Sequence, residues 1–527
     1  MSPLNIEFPM GSSHELERFA EINARLPRMF RAVVNDPRQT HTAIIVPSLS
    51  LPQGELAKIA GAGFYEERLL CLLMLLRQPR MHIILVTSQP IHPTIIDYYL
   101  HLLAGIPGTH ARKRLTLLST SDGAPRALTE KILERPSLMA QINNKIKSKD
   151  HAHMVCFNST PLERTLAVRL GVPLYACDPA LLDLGTKSGS RKVFREAGVP
   201  MPAGFEDLQN SQDVANALVA LWEENPSLSK AVVKLNEGFS GEGNAIFRYD
   251  WVRDTLEAAE SHGTRVELVH AVLPKLEFEA VTETWERFDR TMNQMGGVVE
   301  VFIDGNDKFS PSVQCRVTPV GEAQAISTHD QILGGPSGQV FLGCEFPCRD
   351  DYRLLIQNYG RDVASRLAAQ GVIGRFGVDF IVTRGPDGKF QAHGIEINLR
   401  KGGTTHPFLM LKFLTDGRYY PSNGQFISPT GLEKYYIASD NLMSEAYRGL
   451  RPDDLVDIAV YHSIHFSAVA ECGVVFHLIG ALSQYGKTGV TCIGNTLEEA
   501  RSFYNRTLEI LNRETSLVNN PRLISLP

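Results

Sequence analysis

The sequence predicts a multidomain protein of mixed class, an α/β layer at the front followed by α+β regions. Three observations lead there. The chain has 527 residues, 43% of them hydrophobic, which exceeds what one core organises and sets two to four packed units as the expectation. Between residues 40 and 180, short β-rich runs alternate with helical patterns, the signature of a mainly parallel sheet. Beyond about residue 225, strand patterns follow one another across Gly-rich or charged turns.

Taken in order, Thr42–Pro47, Met81–Thr87, Arg114–Ser119 and Met154–Asn158 read as buried strands. Leu69–Leu76 is the longest apolar run and reads as one face of a buried helix, being far short of the roughly 20 residues of a membrane span. After the fourth strand, Thr160 caps a helix, Pro161 fits its first turn, Glu163 reaches back to the cap, and Gly171 ends it. A second helix is expected over Lys187–Ala197, stopped by Gly198 before the turn Val199-Pro200-Met201-Pro202. A helical stretch near 211–224 precedes strands to about residue 347, and then come a helix near 350–369 and a hairpin over Phe376–Asn398. The last hundred residues carry helical patterns around 434–448 and 496–512 with apolar strands between them. No internal repeat or low-complexity tract interrupts this order. Three units follow: an α/β front over 1–180, a central catalytic region over 181–428, and a C-terminal α+β cap over 429–527.

Charged residues make up 21% and the net charge is -5, with both signs mixed along the chain, which argues against a nucleic-acid partner. No apolar run fits a membrane. Residues 1–30 lack a basic start followed by an apolar core and a small-residue cleavage site, so the expected location is cytoplasmic. The eight cysteines are scattered, and Cys344 and Cys348 form one close pair without a second pair to complete a zinc site. Reduced, mostly buried thiols are therefore expected.

Two segments carry chemistry. In the first, Lys234 ends a strand and Gly238, Gly241 and Gly243 follow before the strand pattern Asn244–Arg248. Glycines let successive backbone amides turn towards one centre, as phosphate oxygens require, and Lys234 adds a full charge. A Rossmann or P-loop motif would open into a helix, so both are disfavoured. An ordinary Gly-rich hairpin loop is the alternative.

The second is Phe376-Gly-Val-Asp379-Phe-Ile-Val-Thr383, a turn over Arg384–Lys389, and a strand holding Glu396 and Asn398. If Arg384 pairs with Lys389, Asp379 lies opposite Gly394, and Glu396 lies diagonally two places along on the same face. Val378, Phe380, Ile395 and Ile397 would then face the core. Asp379, Glu396 and the amide oxygen of Asn398 supply the hard oxygen ligands that magnesium requires. A solvated face is the alternative, weakened by the neighbouring Arg400 and Lys401 and by the loop Gly402–Pro407, which looks substrate-facing.

A lysine opening a short helix that ends in Gly-Val-Pro, a strand lysine with a Gly-rich flap, Gly-Val-Asp and Glu-Ile-Asn-x-Arg occur here in the order of the ATP-grasp superfamily, which this chain resembles over about 181–408. The ends are similar to the pheganomycin-type peptide ligase branch, through Asn158-Ser-Thr-Pro-Leu-Glu163, Gly473-x-x-Phe476, Gly480-Ala-Leu and Gly486-Lys-Thr-Gly489. The resemblance implies an ATP-grasp fold with an α/β pre-ATP-grasp domain and a C-terminal α+β cap. It implies Lys187 and Lys234 as the phosphate lysines, Lys192 being the alternative to Lys187 because Thr186 stands where many relatives carry Asp. Gly238, Ser240, Gly241 and Gly243 would cover ATP. Asp379, Glu396 and Asn398 would hold Mg2+, or Mn2+ in its place, and Arg400 would steady an acyl phosphate or its carboxylate precursor, with Arg316 as a second candidate.

The implied activity is an ATP-dependent carboxylate–amine ligase acting through an acyl phosphate, with a small carboxylate and an amino acid or peptide amine as substrates, and a homodimer as the assembly common among similar enzymes. A phosphotransferase or acid-activating enzyme and a catalytically silent scaffold are the rivals. Glu300 lies in the apolar strand Val298–Phe302, where an acid must be paired, and is expected to face the nucleotide. His329, in Ser327–Gln331, is a candidate for the amine side, whereas His462 and His465 read as structural.

Overall fold

The computed structural model describes residues 9–36, 38–238, 243–280, 283–305, 307–334, 340–385 and 387–519. Four front strands, β1 (His41–Val46), β2 (Met81–Thr87), β3 (Leu115–Ser119) and β4 (Ala152–Cys156), run parallel in the order β3-β2-β1-β4. Every residue of β1 is buried, as expected of a parallel strand covered on both faces. The helix Pro161–Leu170 leaves β4 with the Thr160–Glu163 capping box intact and stops at Gly171, whose φ of 66° lies in the left-handed region.

A second sheet has the order β5-β9-β6-β7-β8, built from β5 (Gly204–Leu208), β6 (Lys230–Leu235), β7 (Asn244–Arg248), β8 (Glu277–Phe278) and β9 (Gly297–Val301). Val233, Leu235, Phe247 and Val299 on one face pack against the helices Ser211–Glu224, His262–Val272 and Trp285–Met295. Lys234 and Glu300 occupy the other face. The sequence suggested strands throughout this stretch, and the structure corrects that: helices fill Arg253–Ala258, His262–Val272 and Trp285–Met295. Their apolar residues cover the sheet's core face.

Among the described residues, the third sheet has nine strands. It comprises β10 (Lys308–Phe309), β11 (Pro311–Val317), β12 (Ala323–Gly334), β13 (Val340–Phe346), β14 (Gly374–Arg384) and β15 (Phe390–Asn398). A small ribbon of β16 (Arg418–Tyr420) and β17 (Gln425–Ile427) follows, and then the sheet resumes with β18 (Tyr435–Met443), β19 (Gly473–His477) and β20 (Lys487–Gly494). The order is β10-β14-β11-β12-β13-β18-β20-β19, with β15 on the free edge of β14. The helical pattern expected over 434–448 is β18 instead, a central strand between β13 and β20 whose Tyr436, Ile437 and Ala438 are buried. Tertiary pairing overrides local propensity there.

One face of this sheet, with Val313, Cys315, Phe376, Val378 and Phe380, packs against the helix Asp350–Ala369. On the other, Phe346 and Tyr436 are covered by Phe408 and Leu411 of the helix Thr405–Thr415. Leu69–Leu76 lies in a 3-10 helix, Ala62–Arg77, buried between front-sheet residues such as Leu85 and C-terminal residues such as Phe476. The front layer and the C-terminal strands therefore share one core. The eight cysteines are unpaired thiols. Among the described residues, no helix is long and apolar enough to cross a membrane.

The helix Lys187–Ala197 joins the second and third sheets. Lys187 N donates to Asn236 O at the end of β6 (3.0 Å), and Ser190 Oγ accepts from Ile397 N on β15 (3.0 Å). Its Phe194 lies so close to Gly394 that a Cβ there would meet the ring at 2.9 Å. Gly394→Val is therefore expected to lower the unfolding free energy by about 1–3 kcal/mol through overpacking, measured by urea denaturation, with Phe194→Leu restoring part of the loss.

Candidate active site

Lys187 is the first residue of its helix, and Thr186 caps it by accepting from Gly189 N (3.0 Å), so the position where Asp was expected is filled by another capping side chain. From there Lys187 Nζ reaches Glu396 Oε1 at 2.5 Å. Arg191, one turn on and hence on the same face, donates to Glu300 Oε1 (2.7 Å), while Lys234 Nζ from β6 takes Glu300 Oε2 (2.5 Å). Glu300 is 3% exposed, a position tolerable for an acid only because two cations hold it. Burial pushes its carboxyl up, yet Lys234 and Arg191 outweigh burial and hold it below the usual range. Lys192 points elsewhere, pairing with the exposed Asp207 at 2.7 Å.

The carboxylate hairpin departs from its expected register. Arg384 pairs with Phe390, not Lys389, and a bulge between Asp379 and Phe380 sets Asp379 directly opposite Glu396 instead of opposite Gly394. Ile395 takes up the extra residue, so it leaves the core face that Val378, Phe380 and Ile397 keep. Directly opposed carboxylates repel. Asp379 is pushed up to about 7, first by burial and then by the charge of Glu396, while Lys187 and Arg400 pull it back. Glu396 moves the other way: burial raises it, but Lys187, Arg400 and Lys234 together hold it below the usual carboxylate range. Asn398 Nδ2 donates to Asp379 Oδ2 (2.9 Å), and Gln331 Nε2 donates to Asp379 Oδ1 (3.0 Å). Two close carboxylates with an adjacent amide oxygen, one of them kept from ionising freely, form a donor set suited to a hard divalent cation.

Opposed register carries one row across the sheet: Tyr436, Phe346, His329, Ser312, Asp379 and Glu396. Only its end at Asp379 and Glu396 is the polar centre. His329 is fully buried, 2.7 Å from Tyr436 Oη and beside the Phe346 ring, and burial lowers it to about 3. The expected loop position near an amine is corrected: His329 is a neutral core side chain of β12. Arg316 shares the active face but lies four residues along β11 from Ser312, the partner of Asp379, or roughly 13 Å away. It donates to Tyr175 Oη (2.9 Å), and the structure does not bring it to the carboxylates.

Arg400 follows Asn398 and its charge acts on both carboxylates. The loop beyond it is less open than expected, since Thr405 and His406 are buried. His406 and His477 converge on Asp440 Oδ1 at 3.3 and 2.6 Å, with Arg68 on the other carboxylate oxygen. In the glycine loop, Gly243 adopts φ 91° and its carbonyl accepts from Leu235 N (2.9 Å), continuing the hairpin of β6 and β7. Gly238 is exposed, and Ser240 and Gly241 lie outside the described residues. Sequence reasoning missed Arg191 and Gln331. The four-residue spacing from Lys187 signalled the first, while nothing local signalled the second.

Glu300→Gln takes the acid from buried Lys234 and leaves Arg191 with Glu206 alone, and is expected to cost about 3–5 kcal/mol in urea unfolding. Because the carboxyl is held below its ordinary 4.5, its contribution is full above about pH 4.5 and is lost as pH falls through the depressed value. The gap between native protein and variant should therefore persist at neutral pH and close on acidification.

Comparison with known proteins agrees with this architecture. A family described as "IQCH-like, ATP-grasp" matches residues 179–420, and one described as "PGM1 C-terminal domain" matches 454–507. L-propargylglycine--L-glutamate ligase of Streptantibioticus cattleyicolor is 27% identical over 499 residues, covering 93% of this chain and 98% of that protein. IQ motif-containing protein H of Danio rerio is 22% identical across 96% of this chain, which spans about half (51%) of that longer protein. Among solved structures, the biotin carboxylase of Campylobacter jejuni superposes with a TM-score of 0.52 at 11% identity, covering 92% of this chain and 97% of that one. The biotin carboxylase domain of the Hydrogenobacter thermophilus 2-oxoglutarate carboxylase gives 0.51 at 12% identity, covering 93% and 100%. The lysine-bearing sheet and the carboxylate hairpin both lie within residues 179–420, the stretch over which this chain is similar to the ATP-grasp family.

Proposed function

We propose that this ATP-grasp ligase activates the carboxylate of a small acid with ATP and joins it to the amine of an amino acid or peptide. The observation that carries the reading is the opposed pair Asp379 and Glu396, within the electrostatic reach of Lys187, Lys234 and Arg400. The near full-length likeness to a ligase that joins two amino acids supports the amide-forming half.

Lys187 and Lys234 bind and orient the phosphates, each already desolvated by its carboxylate partner and therefore held in place before ATP arrives. Asp379, Glu396 and the Asn398 oxygen would hold Mg2+, which when bound offsets charge on the phosphates. Arg400 steadies the substrate carboxylate while its oxygen attacks the γ-phosphorus and ADP leaves. The amine nitrogen then bonds to the acyl carbon, the bond from carbon to the phosphate oxygen breaks, and phosphate departs with Arg400 offsetting its charge while the nitrogen gives up its proton to solvent. Gly238 and Gly243, which follow Lys234, would stand over the nucleotide and help keep water from the acyl phosphate. The 1–180 and 429–527 segments share one core, to which Leu409 and Met410 of the 181–428 region also belong.

ADP release with pooled acids and amines is the test. Asp379→Ala and Glu396→Ala are each expected to lower the rate at least about 100-fold, as removal of a charge-stabilising group does. Mass spectrometry should find an amide product. Equal background release in native and variant proteins would falsify the enzyme reading, and a phosphorylated product accumulating when amines are present would favour a phosphotransferase.

A further inference from the structure

Arg316 and Arg375 stand directly opposite each other on β11 and β14, on the face that carries Asp379. Like charges opposed across a sheet are destabilising, and such pairs normally recruit an acid. Here none is present: among the described residues, neither arginine forms an ion pair with a carboxylate, and neither does Lys412. Arg316 spends its Nε on the neutral Tyr175 hydroxyl (2.9 Å) and lies over the Phe30 ring. Arg375 Nη1 is buried with no hydrogen-bond partner. Lys412, from the helix Thr405–Thr415, adds a third cation within the electrostatic reach of both arginines. Asp416, an acid whose charge acts on it, is engaged by Arg77 at 3.3 Å. Three cations at the seam with the front domain thus lack a counter-charge, on the same sheet face as the reacting centre.

We propose that Arg316, Arg375 and Lys412 form a subsite for a carboxylate carried by a substrate, distant from its reacting group. The placement fits an elongated ligand. From Arg375 to Asp379 is four residues of one strand, roughly 13 Å between backbone positions, which a short extended peptide spans once the activated acyl group lies beside Asp379 and Glu396. The guanidinium groups match a carboxylate in shape as well as charge. The inference rests on the ligase reading and narrows its substrate class to molecules bearing a second anionic group, on either the acid or the amine.

Two measurements test it. In the first, sulfate serves as the probe and melting temperature is compared with chloride at matched ionic strength. Native protein should gain several degrees specifically with sulfate, and Arg375→Gln, Arg316→Gln and the exposed Lys412→Gln should lose that gain. Without sulfate, Arg375→Gln should melt no lower than native, because it relieves repulsion. A sulfate gain unchanged in the Arg375→Gln and Lys412→Gln variants would overturn the subsite. In the second, ADP release is followed with paired substrates, each amino acid against its amide and each diacid against its monoamide. The variants should raise KM for the charged member by about 10- to 100-fold, the equivalent of one or two charge-assisted hydrogen bonds, with kcat little changed and the neutral member unaffected. Whichever pair responds identifies the substrate that carries the anion, and equal KM changes in both members would again overturn the proposal. If native protein turned over no pair, the ligase reading alone would fail, and the sulfate shift would still decide the subsite.

Discussion

The ion pairs at the two ends of one helical turn, Lys187 with Glu396 and Arg191 with Glu300, set the geometry on which the rest depends. Burying an acid is costly unless a cation meets it, and here each sheet contributes an acid that the same short helix neutralises. Glu300 ties the helix to the lysine-bearing sheet and Glu396 ties it to the carboxylate hairpin. The helix is thus a strut that fixes how far Lys234 stands from Asp379. Close packing of Phe194 on Gly394 and the backbone bonds to Asn236 and Ile397 add shape to what the charges begin.

The bulge in the hairpin decides what kind of centre results. Without it, the register that pairs Phe380 with Gly394 would set Ile395 opposite Asp379 and turn Glu396 to the core face. With it, the two carboxyl groups face each other and cannot both ionise freely, so Asp379 is raised while Glu396, held by Lys187, is lowered. Gln331 and Asn398 donate to Asp379 and fix its oxygens in orientation. That same row of the sheet continues into the aromatic packing around His329, Phe346 and Tyr436. A polar site is thereby anchored to a dry core a few strands away.

Beyond the catalytic strands, the third sheet runs on into β18, β20 and β19, and their apolar residues meet the front layer through the 3-10 helix Ala62–Arg77. The seam between the front layer and the carboxylate face is lined by Tyr175, Phe30, Arg316 and Arg375. The subsite proposed for a substrate carboxylate lies at this seam, away from Lys187 and Lys234.

Much of this molecule is local. The parallel front strands, the Thr160 capping box, the helix between Thr186 and Gly198 and the hairpin over 376–398 are all legible in the sequence, because caps, glycines and alternating apolar residues act within a few positions of themselves. Lys187, Lys234, Asp379, Glu396 and Asn398 could be named as site candidates for the same reason. What only the tertiary structure decided involves partners far apart in the chain. A strand at 435–443 won over a helical pattern because β13 and β20 pair with it, and a bulged register replaced the simple one. Arg191 and Gln331 joined the site, His329 withdrew into the core, and Arg316 found itself opposite another arginine. Each outcome is set by which distant charge or surface a side chain meets once the sheets are assembled, and such long-range pairing leaves no periodic mark in the sequence.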